Sequence, residues 1–280
     1  MTAAALPAGI VSPRPAWRGL LWTVPLTGIW MLLIYLQPAI TASGVPSASA
    51  RLLTYGLIAV GLGLALQRTD LTPGQRRATW LAVLVPYMLW MAFAWSAGIN
   101  GVFRANASPV PLLPMAILAP VIVGAPLLLS SRRVGRVLAV TPASWLIALQ
   151  LYRVFGSAFL VAGLRGAMVG AFAFPAGIGD VLTGLFAVPT AIAVASGSVQ
   201  GRRAAIAWNL FGLADFAVAI TMGAITSPGP FQLLVSNTPS IGVGDYPNVL
   251  TPIFVVPSSI LLHVLSLRQL MQAPMAESAR

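Results

Sequence analysis

The chain has 280 residues, 58% of them hydrophobic and only 8% charged, where a soluble domain carries roughly 25% charged residues. Its formal charge of +11 rests on arginines in short connections between apolar segments, which reports membrane topology and excludes a nucleic-acid surface. With no lysine, no cysteine and one histidine, side chains cannot build a Schiff-base retinal or pyridoxal site, a disulfide framework, or a zinc, iron–sulfur or cysteine-ligated haem centre, so no cofactor and no metal is expected.

Windows of about 20 apolar residues predict membrane helices near 20–37, 51–67, 78–97, 110–129, 138–162, 171–195, 204–225 and 248–270. The first follows Arg14 and Arg18 and precedes Ala48-Ser49-Ala50, as a signal peptide would. Its apolar run exceeds the roughly 7–15 residues of such a leader, so it counts as a span. The fourth carries Pro109, Pro111, Pro114, Pro120 and Pro126, and a helix there needs neighbours for the carbonyls that proline frees. The longest connection, about 227–247, holds an apolar FQLLVS stretch that is expected on the membrane surface or folded back over the helices. No long repeat occurs, although Gly177-Ile178-Gly179-Asp180 and Gly212-Leu213-Ala214-Asp215 echo one another on consecutive spans.

Loop charges test this count. Arg14, Arg18, Arg68, Arg76, Arg77, Arg132, Arg133, Arg136, Arg202, Arg203, Arg268 and Arg280 fall on one side, against Arg51, Arg104 and Arg165 on the other. The positive-inside rule then gives eight spans with both termini cytoplasmic in an inner (plasma) membrane. The expected fold is an all-α polytopic helix bundle forming one membrane domain. Residues 1–135 form a packing half, 136–270 a polar half and 271–280 a cytoplasmic tail.

The polar half carries what hydrocarbon disfavours: Gln150 and Arg153 on the fifth span, Asp180 on the sixth, Asn209 and Asp215 on the seventh, His263 on the eighth. At about 1.5 Å per residue, Arg153, Asp180 and Asp215 share a level near the midplane, with Asn209 and His263 on an inner level. A period of 3.6 places Gln150, Arg153 and Ser157 on one stripe. Gly177, Asp180 and Gly184 share another, as do Trp208, Gly212 and Asp215, and Ser259, His263 and Ser266. Asn209 lies about 120° from Asp215, facing elsewhere. A charge at the bilayer centre costs at least about 2.5–3.5 kcal/mol, and a guanidinium cannot discharge itself. Arg153 therefore needs an anion, and two aspartates are within reach. One is expected to fix the arginine, leaving the other without a counter-ion and able to exchange a proton. His263 reads either as a proton gate or as a hydrogen-bonded core residue.

In Phe174-Pro175-Ala176-Gly177-Ile178-Gly179-Asp180, proline and glycines either break the helix around a cavity or let a neighbouring helix approach closely. The set Gln150-x-x-Arg153, this Phe174–Asp180 run, Trp208-Asn209-x-x-Gly212-x-x-Asp215-Phe216 and His263-x-x-Ser266-Leu267 resembles a group of uncharacterised multipass bacterial membrane proteins over about residues 145–270. The resemblance implies no activity. Gly177-Ile178-Gly179-Asp180 is also similar to the G-x-G-D motif of intramembrane aspartyl proteases, which would make Asp180 and Asp215 a catalytic dyad. In those families the motif aspartate is the second of the pair and a P-A-L-P segment follows, whereas here it comes first, no such segment follows, and Arg153 at the same level would hold one carboxylate ionised instead of letting two share a proton.

Three readings follow. In the first, a small transporter or ligand-handling protein binds a polar or anionic solute, or protons, at Arg153, Asp180 and Asp215, with Gln150, His263 and Asn209 nearby. In the second, the triad is a staple in a structural or accessory subunit. The third is the protease, so enzymatic activity is the less favoured expectation. The expected partners are the lipid bilayer and that solute, with no nucleic acid.

Overall fold

The computed structural model describes residues 15–42, 45–238 and 241–272. Arg14, Arg280 and most of the expected cytoplasmic tail lie outside them. Ten helices follow in order, and no strand occurs among the described residues. They are α1 (Ala16–Leu36), α2 (Ala39–Ala42), α3 (Val45–Gln67), α4 (Pro73–Ile99), α5 (Leu112–Ser130), α6 (Arg132–Val140), α7 (Ala143–Leu164), α8 (Gly170–Ala195), α9 (Val199–Thr226) and α10 (Thr251–Gln272). Seven are long and apolar enough to cross a membrane, and α3 adds a shorter apolar stretch, Arg51–Gln67. The protein is an all-α polytopic membrane helix bundle.

The eighth span rests on α3, and its contacts run the height of the bundle. At its start, Arg51 donates to Thr251 Oγ1 (3.0 Å) at the head of α10. At its finish, Arg68 lies over the Trp145 ring, 5.0 Å from the centroid, at the start of α7. One end of the bundle collects the loops rich in arginine. There Arg136 pairs with Asp70 (3.8 Å), Arg76 donates to Thr69 O (2.8 Å) and Arg268 donates to Leu128 O (2.8 Å). The far end holds Arg51, an Arg104–Asp245 pair (3.4 Å) and Arg165 on the Tyr35 carbonyl.

Local signals fix the helix starts. A capping box opens α4, with Gln75 N–H donating to Thr72 Oγ1 (3.3 Å), Thr72 N–H donating to Gln75 Oε1 (3.1 Å) and Pro73 at the first position. Ser131 and Ser198 cap α6 and α9 through Val134 N–H (3.3 Å) and Gly201 N–H (3.0 Å). The predicted span 138–162 divides at Thr141-Pro142, where α6 ends and α7 begins. The proline-rich fourth span is one continuous helix despite Pro120 and Pro126.

Proline repair is explicit in α10. Pro257 has no N–H for the carbonyl four residues back, Ile253 O, and Trp90 Nε1 donates to that oxygen instead (2.8 Å). The same stretch, Thr251–Val255, is wound as a π-helix. Replacing Trp90 with phenylalanine orphans this carbonyl. It is expected to cost about 1–3 kcal/mol, read as a lower melting temperature in detergent with helix content unchanged.

The centre of the bundle is α8 and α10, 44% buried over their apolar windows against 11% for α5. After α9 the chain turns back, with Leu233 and Leu234 N–H both on Ile225 O (2.9 Å). Val243 and Gly244 are buried, the latter against the Phe103 carbonyl. The long connection thus folds over the far end, leaving Leu233 and Val235 exposed.

Candidate functional site

Arg153, Asp180 and Asp215 each lie ten or eleven residues from the far end of α7, α8 and α9, about 15 Å deep at 1.5 Å per residue. The segment that carries the arginine is not α-helical. Leu149–Gly156 is a 3-10 run of eight residues, long for a form that rarely exceeds 3–4. Its three-residue turn aligns Gln150, Arg153 and Gly156 on one face, while Leu149, Tyr152 and Phe155 share another.

Arg153 is the hub. Its Nε donates to Asp180 Oδ1 (2.8 Å) and its Nη2 to Asp215 Oδ2. Nη1 donates to Gly212 O (3.4 Å) and to His263 Nε2 (3.1 Å). The Phe216 ring lies over the guanidinium, its centroid 3.9 Å from Cζ. Because a guanidinium only donates, Nε2 of His263 must accept, and His263 is a neutral ring with its proton on Nδ1. That proton goes to Asn209 Oδ1 (2.9 Å), and Asn209 Nδ2 donates to Ala205 O (2.8 Å) and Ser266 Oγ (3.1 Å). A continuous hydrogen-bonded chain therefore runs Asp180–Arg153–His263–Asn209–Ser266.

α9 presents Asp215 to α7 and α8 on one side and Asn209, about 120° round, to α10 on another. One expectation changes here. Neither aspartate is left without a mate, because the planar fork reaches both carboxylates through different nitrogens. The cluster sets two carboxyl groups against one guanidinium. Gln150 joins α10 instead of the charges, donating to Ser259 O (3.0 Å), beside a Tyr152 hydroxyl to Ser259 Oγ contact.

Glycines make this convergence possible. The helix through Pro175 and Gly177 is unbroken, so the run ahead of Asp180 serves close approach and not a break. A Cβ on Gly179 would overlap Asp215 Oδ1, and one on Gly156 would overlap Asp180. One on Gly212 would sit 2.5 Å from His263 Nε2, and one on Gly184 would sit 2.6 Å from Val154 N.

Two cavities meet at the cluster. The first, about 150 Å³, reaches from Arg104, Phe231 and Gly244 at the far end down to Asp180 and Asp215. The second, about 140 Å³, reaches from Arg51 and Asn248 to Arg153 and Asp180. Phe216 and Asp180 border both. The Asp180 side chain is 18% exposed, against 4% for Asp215 and 2% for Arg153. Asp180 is thus the most exposed member of the triad and the one that borders both cavities, while His263 and Asn209 are fully buried and line neither. No group of three or more metal-ligating side chains occurs among the described residues.

Sequence reasoning missed Arg51, counted as a loop charge and found buried at 2% exposure. It also missed Gly156, whose only signal was a glycine three residues after Arg153.

Neither a curated protein nor a solved structure matches the chain. The family described as a domain of unknown function (DUF8737) matches residues 110–271. That is more than half of the 280 residues and holds α5 to α10 with every member of the charge cluster. The chain therefore belongs to the DUF8737 family.

Proposed function

We propose that the protein is a small membrane solute carrier whose far-end cavities deliver a polar solute or a proton to Asp180. The observation that carries this reading is the uneven exposure within the triad. Arg153 and Asp215 are almost fully buried and each borders one cavity, whereas Asp180 is the more exposed, borders both cavities and has a second carboxylate oxygen to spare. Two carboxyl groups against one guanidinium favour a proton or the cationic end of a solute there. An anion is not drawn by Arg153 itself, whose donors already meet two carboxylates, a carbonyl and His263. With the arginine-rich end cytoplasmic by the positive-inside rule, the cavities face outward in a plasma membrane and both termini face the cytoplasm.

Asp180→Asn and Asp215→Asn separate this reading from its rival. For a carrier, Asp180→Asn is expected to purify as folded protein and to lose pH-dependent uptake in proteoliposomes. Asp215→Asn, at the more buried position, is expected to lose folded protein. The second reading, a staple that sets helix register, is favoured by the number of bonds Arg153 makes to the protein itself. It requires folded protein to fall for both variants. Cleavage of a membrane-embedded peptide requiring both aspartates would instead support the intramembrane protease.

A further inference from the structure

Arg51 has the chemistry of an unfilled site. It is 2% exposed, yet neither Nε nor Nη1 has a hydrogen-bond partner among the described residues. Only Nη2 is engaged, on Thr251 Oγ1 (3.0 Å) and Pro247 O (3.5 Å). A buried cation without an anion is costly, and the carboxylates of this chain are committed elsewhere. Asp70 pairs with Arg136, Asp245 with Arg104, and Asp180 and Asp215 with Arg153. Glu277 lies outside the described residues.

Arg51 lines the second cavity with Asn248 and Thr251. Two helical turns further along α10 Ser259 lines it, as do Tyr152 of α7 and Asp180 of α8. The space is therefore bordered by a guanidinium with unspent donors and by one of two carboxyl groups that share a single guanidinium. Its volume of about 140 Å³ has room for several waters or a small organic guest.

We infer that Arg51 is the anion-binding group of this cavity and holds the carboxylate of a small zwitterion whose ammonium end points toward Asp180. The inference rests on the reading that solute reaches Asp180, and it relocates the anion site from Arg153 to Arg51. Nε and Nη1 flank the engaged Nη2 and point to different sides, so each offers a carboxylate one charge-assisted hydrogen bond.

The test uses full-length protein in nanodiscs of neutral phosphatidylcholine, with melting temperature read against acetate, methylammonium and the ω-amino acids from glycine to 6-aminohexanoate. Acetate is expected to stabilise saturably. One length of ω-amino acid is expected to do so at a concentration about tenfold lower, as one further charged hydrogen bond would give. Arg51→Gln is expected to raise the half-saturating concentration of both by about tenfold or more while leaving the methylammonium response unchanged. Arg51→Lys should restore part of the acetate response. Asp180→Asn should remove the advantage of the ω-amino acid and keep the acetate response, so failure of the Asp180 reading stays distinguishable from failure at Arg51. The inference is overturned if no carboxylate probe shifts the wild-type protein, or if Arg51→Gln responds as wild type does. It is also overturned if stabilisation through Arg51 arises only when phosphatidylglycerol is added, since the guest would then be a lipid headgroup.

Discussion

Arg153→Gln is expected to leave little folded protein. The substitution strands Asp180 and Asp215 without their shared cation, and removing one partner of a buried ion pair costs about 3–5 kcal/mol, against a total stability on the order of 5–15 kcal/mol. The loss should be legible as an aggregated profile in size-exclusion chromatography of the detergent extract. The triple variant Arg153→Leu, Asp180→Asn, Asp215→Asn removes all three charges and is expected to recover much of the folded fraction, because apolar or neutral replacements of buried ion clusters are often tolerated. A stable Arg153→Gln protein would mean that the cluster does not organise the helices around it.

The second large effect belongs to Gly179→Ala. Its added methyl would occupy the place of Asp215 Oδ1, so α8 and α9 must part or the Asp215 carboxylate must leave its arginine. Overpacking of this kind costs about 1–3 kcal/mol or more, well above the 0.5–1 kcal/mol gained by removing glycine from a helix interior. Gly28→Ala on α1, where a Cβ meets nothing within 4 Å, is the matched control and is expected to be neutral or mildly stabilising. Equal melting temperatures for the two variants would contradict the packing described.

Much of the architecture was written in the spacing of apolar windows, and the depth of Arg153, Asp180 and Asp215 followed from counting residues to the helix ends. What counting could not give was which neighbour each face meets. Asn209 stands about a third of a turn away from Asp215, and only the placement of α10 against α9 makes both faces part of one site. The 3-10 winding of Leu149–Gly156 has no signature in residue type, yet it changes the residues aligned with Arg153 from a period of 3.6 to one of three. The glycines before Asp180 allowed a break or a close approach, and the bulk of Asp215 and Leu160 opposite them decides for the latter. Arg51 looked like a topology charge because the sequence cannot tell a snorkelling arginine from a sealed one.

The chain of bonds from Asp180 to Ser266 bears on the proton coupling that the carrier reading proposes. A guanidinium holds its hydrogens at every physiological pH, so the second link of that chain is an insulator. On the carrier reading proposed above, a hydrogen ion that lands on Asp180 cannot pass along this chain of bonds toward Ser266. Coupling without leakage would then be a property of one side chain's electronic structure and not of any gate that must shut in time.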